Sequence, residues 1–134
     1  MTAISDVLII NVSKKIPYRN TKHCVCISVA KGKCLLINTE NRQIYEEIKI
    51  NSSDYEFLNG VDRYIACSQI FEFSEDDIIQ RVGDIKYEDM LKIIENLRKT
   101  KEITPIERNF IVSELEKWLE NYVGNKLADS FNLR

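Results

Sequence analysis

Apolar residues cluster in short runs through the first half of the chain and recur at helical spacing through the second. Asp6 to Val12 is rich in valine and isoleucine, as suits a strand buried on both faces. Ser13 to Lys22 is a polar connection with Pro17, too long for a tight hairpin. His23 to Ala30 predicts a second strand, Lys31-Gly32-Lys33 a turn, and Cys34 to Thr39 a third strand returning antiparallel. Gln43 to Asn51 spaces Ile44, Ile48 and Ile50 by even numbers and predicts a fourth. After a turn-rich segment with Asn59-Gly60, Arg63 to Phe73 predicts the fifth and longest. Five short strands with tight connections describe a small closed barrel rather than an open α/β sheet.

Beyond Phe73 the period changes. Ser74 followed by Glu75, Asp76 and Asp77 reads as an N-cap with acidic residues at the positive end of a helical turn. Ile78, Ile79 and Val82 give that turn an apolar side, and Gly83 is expected to stop it. A helix over about 87–99 places Met90, Ile93, Ile94 and Leu97 on one face. Thr104-Pro105-Ile106-Glu107 combines a capping box with proline at the first helical position. The helix it starts carries Ile106, Phe110, Ile111, Leu115, Trp118, Leu119 and Tyr122, and is expected to stop near Gly124 with a frayed tail beyond. The chain thus reads as one domain over 1–134: strands over 5–73, a short turn and helix over 74–100, and an additional helix over 104–123.

Length is enough for one unaided core, and no apolar run approaches the ~20 residues of a membrane span. The first residues carry no export signal, so the cytoplasm is the expected compartment. There Cys24, Cys26, Cys34 and Cys67 read as reduced thiols, and at strand centres as small core hydrophobes. His23-Cys24-Val25-Cys26 invites a zinc reading, but no second pair at metal-ligand spacing follows; no metal or other cofactor is expected. The net charge of −2 is unevenly spread. Lys14, Lys15, Arg19, Lys22, Lys31 and Lys33 fall between Val7 and Thr39 with no acidic residue among them. From Asn51 onward 11 Lys/Arg face 17 Asp/Glu. Such asymmetry suits either a local anionic partner such as RNA or a solvated basic loop balanced by acidic helices.

Cys67-Ser68-Gln69-Ile70-Phe71-Glu72-Phe73, then Ile78, Arg81-Val82-Gly83-Asp84-Ile85, Met90, Ile93 and Leu97, resemble the tail of MazF/PemK-like toxins. Upstream, Asp6-Val7-Leu8-Ile9, Lys22-His23-Cys24-Val25-Cys26-Ile27 and Leu36-Ile37-Asn38-Thr39 are similar to three earlier strands of that family, with Ser5 where glycine is usual. The resemblance spans Ser5 to Thr100. It implies an SH3-like barrel followed by helices, and metal-independent cleavage of single-stranded RNA by a homodimer restrained by an antitoxin. The family's glycine-flanked Arg-Pro is missing; Arg19-Asn20-Thr21-Lys22-His23 stands in its place. Pattern order then puts Arg19 or Lys22 near the family's catalytic arginine and Thr39 near its catalytic threonine.

Cutting RNA without metal requires help in removing a proton from the 2′-OH, protonating the leaving 5′-oxygen and offsetting phosphorane charge. Arg19 and Lys22 are candidates for the charge, and His23, the only imidazole, for proton transfer. Thr39 is a candidate to position the nucleophile, although a β-branched residue at a strand end needs no such role. Lys14, Lys15, Tyr18, Lys31 and Lys33 are the candidate RNA-binding residues, and Tyr45, Tyr55 and Tyr64 further stacking surfaces. The first functional expectation is a toxin-type endoribonuclease. Its alternative is a non-catalytic barrel of the same ancestry that binds RNA or protein. A third is an adaptor docking through the Trp118 helix.

Overall fold

The computed structural model describes residues 2–16 and 20–132. Six strands form one antiparallel sheet: β1 (Asp6–Asn11), β2 (Thr21–Ser28), β3 (Lys33–Asn38), β4 (Glu47–Ile50), β5 (Arg63–Glu72) and β6 (Ile78–Asp84). Helices α1 (Tyr87–Lys99) and α2 (Pro105–Asn132) follow. The strand order is β4-β5-β3-β2-β1-β6.

This corrects the expected closed barrel. The order begins at β4 and ends at β6, and no ladder joins those two edges. A second expectation is corrected as well: Ile78–Asp84 is a strand rather than the tail of a helical turn. Only Glu75–Asp77 is helical, a single 3-10 turn at which the Ser74 N–H and Oγ both donate to the Asp77 carboxylate. After that corner β6 lies along β1, from Ile10↔Ile78 to Asp6↔Asp84, with two register shifts. The remaining edges are a strand of four residues at one side and a bulged strand at the other, both common ways of leaving an edge unpaired.

Both faces of the sheet are covered, which explains the continuous apolar runs in β1, β2 and β3. Val7, Val25, Ile27, Leu35, Ile37, Ile48, Ile50 and Ile65 point to the face on which α1 and α2 pack. Met90, Ile93, Ile94 and Leu97 of α1 are buried there, as are Ile111 and Leu115 of α2. Leu8, Ile10, Cys24, Cys26, Cys34 and Leu36 point the other way, under Phe73 and beside Phe71 and Ile78. All four cysteines are free and buried. Burial pushes the Cys26 and Cys67 thiols up to about 12.

Helix α2 starts where its sequence signal lies, with the Glu107 N–H donating to Thr104 Oγ1 at 3.2 Å. It does not stop at Gly124 but continues through Asn132. Its apolar stripe is also shifted: Ile106 is 85% exposed and Phe110 42%. Glu114 ties the helix to the sheet. Its carboxylate accepts from Ser28 Oγ (2.6 Å) and from the backbone N–H groups of Val29 (2.9 Å) and Ala30 (3.2 Å), capping the turn between β2 and β3.

Candidate nucleic-acid interface

Four polar side chains gather where β2 begins and β3 and β5 meet. Lys22 Nζ donates to Asn38 Oδ1 at 2.7 Å, and Asn38 Nδ2 donates to Gln69 Oε1 at 3.2 Å. Asn38 continues the alternation Cys34, Leu36, Asn38 and is itself buried. A buried amide at a core-phase position is held only by filling its hydrogen bonds, as the chain from Lys22 to Gln69 does. Gln69 arrives through a bulge: four residues of β5, Ala66 to Gln69, stand opposite Leu36 alone. Thr39 is exposed just beyond β3. With Lys22, Asn38, Glu40 and Arg42 it lines a small polar pocket of about 80 Å³.

The structure therefore brings together Lys22 and Thr39, but not His23. Side chains alternate along β2, so Lys22 lies on the face of Cys24 and Cys26, and His23 on the face of Val25 and Ile27. There the imidazole stacks beside Phe57, ring centroids 6.4 Å apart. Burial, then the charges of Arg63 and Lys22, hold its pKa below the usual histidine value. A histidine depressed in the folded state is one whose protonation favours unfolding. Stability should therefore be at its plateau above the ordinary pKa of ~6.5 and should fall as pH drops below it, by at most about 1.4 kcal/mol per pH unit. Urea midpoints at pH 7.5 and 5.5 test this; the His23→Gln variant should lose less between the two.

The other expected RNA contacts lie elsewhere. Lys31 and Lys33 sit at the opposite end of the β2–β3 hairpin from Lys22 and Asn38, roughly 17 Å away at the rise of a strand. Lys33 Nζ is 3.5 Å from both Glu72 and Glu107, so its charge is answered by two carboxylates. Lys15 Nζ donates to the Glu72 carbonyl and lies 5.8 Å from the Phe71 ring centroid. Lys31 lies over the Phe110 ring at 4.9 Å. Lys14 is exposed on the same β1–β2 connection as Lys15. Among the described residues one continuous basic mouth is not formed: Lys22 lies at one end of the hairpin, and Lys31 and Lys33 at the other. Arg19 and Tyr18 lie outside the described residues. Tyr55 is buried, its hydroxyl donating to Asp89 and accepting from the Lys86 N–H, so it offers no stacking face. Among the described residues no three His, Cys, Asp or Glu side chains are grouped to hold a metal ion.

Asn38, Gln69 and Arg42 went unread as site residues. Asn38 carried a signal, a polar residue at a position whose phase is buried; Gln69 depends on a bulge and carried none.

No family model matches the chain, and no curated protein matches it. Among solved structures it is similar to an endoribonuclease in complex with its cognate antitoxin from a mycobacterial species. That match has a TM-score of 0.51 and 16% identity, and covers 69% of this chain and 87% of the other. At that identity the likeness is one of fold, and it agrees with the MazF/PemK-like fold that the sequence resembles.

Proposed function

We propose that this protein is a toxin-type endoribonuclease that cuts single-stranded RNA at the Lys22, Asn38 and Thr39 cluster without a metal. The observation that carries the reading is the Lys22–Asn38–Gln69 chain at the strand ends, with Thr39 and Arg42 in the same pocket. The fold likeness to an endoribonuclease supports it. A buried amide that fixes a lysine head removes rotamer freedom before the substrate arrives, which is the preorganisation that phosphorane stabilisation needs. Lys22 and Arg42 supply positive charge, and the Thr39 hydroxyl supplies a donor for a phosphate oxygen. Arg19, three residues before Lys22, is the remaining candidate for charge. By the same fold likeness an antitoxin protein is a proposed partner, and the family resemblance of the sequence makes a second copy of the chain another.

The second reading, an RNA-binding protein of this fold without catalysis, is favoured by the absence of an imidazole from the cluster, His23 being on the other face. A labelled single-stranded RNA of mixed sequence, incubated with the protein in EDTA, separates the two. Cleavage leaving 2′,3′-cyclic phosphate ends, reduced at least a hundredfold by Lys22→Ala, is expected. RNA bound but left intact would select the second reading, and no interaction with RNA would reject both.

A further inference from the structure

The same end of the sheet carries a second cation on its other face. Arg63 opens β5 opposite Ile50, and in phase with Ile65 it points to the face of His23. It is half-buried, its Nε is fully buried without an acceptor, and among the described residues no carboxylate pairs with it. The neighbouring Asp62 is engaged elsewhere, accepting from the Ser52 N–H at 2.8 Å and pairing with Lys49 at 3.5 Å. A half-buried guanidinium with an orphaned donor is costly unless an anion fills it. Tyr64↔Asn38 pairing fixes Arg63 one residue beyond Asn38, at the rim where Lys22 and Thr39 lie.

We propose that Arg63 is a phosphate subsite: an oxyanion of the nucleic-acid backbone docks on it beside His23 and Phe57, while a neighbouring phosphate occupies the Lys22 and Thr39 pocket. The strand then passes over the rim of the sheet, held on both faces. This rests on the RNA reading above. His23 forms a wall of this place: burial first, then the charges of Arg63 and Lys22, hold its pKa below the usual histidine value, so in the free protein it adds little charge of its own beside Arg63. Phe57 backs it, seated so close over Gly83 that a Cβ there would lie 3.2 Å from the ring. Arginine is the fitting residue type, because its planar fork leaves further donors for the phosphate around the buried Nε.

The test uses the full chain, a fluorescent 2′-O-methyl RNA dodecamer that cannot be cleaved, and inorganic phosphate. Arg63→Met should bind the dodecamer roughly tenfold more weakly, the scale of one charge-assisted hydrogen bond. The slope of log affinity against log salt should shrink by about 0.7, the share of one single-strand phosphate. Arg63→Lys should keep most of that slope. The melting temperature of free Arg63→Met should equal or exceed that of the wild type, since an unanswered guanidinium leaves the interior. Wild-type affinity and slope in Arg63→Met, with Lys22→Ala still weakened, would overturn the subsite and leave the RNA reading standing. A clear drop in the melting temperature of Arg63→Met would overturn it by making the guanidinium structural. If the wild type ignores the dodecamer but phosphate raises its melting temperature and not that of Arg63→Met, Arg63 takes free phosphate and both RNA claims fall. No response to either ligand also rejects both.

Discussion

A chain ended at Thr100 is expected to lose cooperative unfolding altogether, although every strand would still be present. Helix α2 is not an appendage. Ile111 and Leu115 are fully buried in the main core, with Val112 and Trp118 packed against them. Burial of the first two alone is worth about 3–6 kcal/mol, against a whole-domain stability of about 5–15 kcal/mol. The truncation also removes the Glu114 carboxylate and leaves its three donors in the β2–β3 turn, Ser28 Oγ and the Val29 and Ala30 N–H groups, without that acceptor. It further releases the end of α1, where Arg108 Nη1 donates to the Thr100 carbonyl at 3.0 Å. Far-UV circular dichroism should show a broad, weak transition, and Leu115→Ala in the full chain should cost about 2–5 kcal/mol. A truncated chain melting sharply within a few degrees of the full one would show that the sheet and α1 suffice.

Gly32→Ala should be the most damaging single-methyl change in the protein, costing about 3 kcal/mol or more, while Gly60→Ala should cost about 1 kcal/mol. Both glycines adopt positive φ, +62° at Gly32 and +82° at Gly60, so backbone preference alone separates them little. Space separates them. A Cβ on Gly32 would lie 2.4 Å from the Phe73 carbonyl oxygen, whereas one on Gly60 meets nothing within 4 Å. Relief at Gly32 requires moving backbone, and the backbone concerned is doubly fixed. The Phe73 N–H donates to the Gly32 carbonyl at 2.8 Å, and Phe73 covers the cysteine-lined face of the sheet. Urea denaturation of the two variants measures the difference directly; equal losses would mean that the hairpin yields where the geometry says it cannot.

These effects bear on the proposed function because the candidate site is assembled at strand ends. Lys22, Asn38 and Arg63 come from three strands, and each is placed by the register of its strand rather than by a loop of its own. A disturbance at the far end of the β2–β3 hairpin, such as Gly32→Ala, reaches the site only by shifting or melting that register. Under the proposed function, RNA cleavage by Gly32→Ala should therefore fall in step with the folded fraction.

Much of the local structure was legible. Val/Ile-rich runs fixed the first five strands to within a few residues at each end. The α1 helix, Tyr87–Lys99, was set by Met90, Ile93, Ile94 and Leu97, and the start of α2 by Thr104-Pro105. These are features in which neighbouring residues carry the whole signal: period, cap and proline. Within the candidate site, the order of strands placed Lys22 and Thr39 near one another, where the structure also has them, whereas the grouping of His23 with them overlooked the change of face between adjacent strand residues.

Four things were decided only in the folded molecule. Ile78-Ile79-Gln80-Arg81-Val82 fits a helical turn as well as a strand, and pairing with β1 resolved it in favour of β6, the sixth strand of an open sheet. Gly124 ends many helices, yet here α2 runs through it to Asn132. Gln69 joins Asn38 because a bulge of β5 opposite Leu36 brings it there, and Arg63 is left without a counter-ion because Asp62 answers Ser52 and Lys49 instead. For β6, Gln69 and Arg63 the deciding partner is distant in sequence or is one of several equally available, so period and propensity along the chain hold no record of the choice.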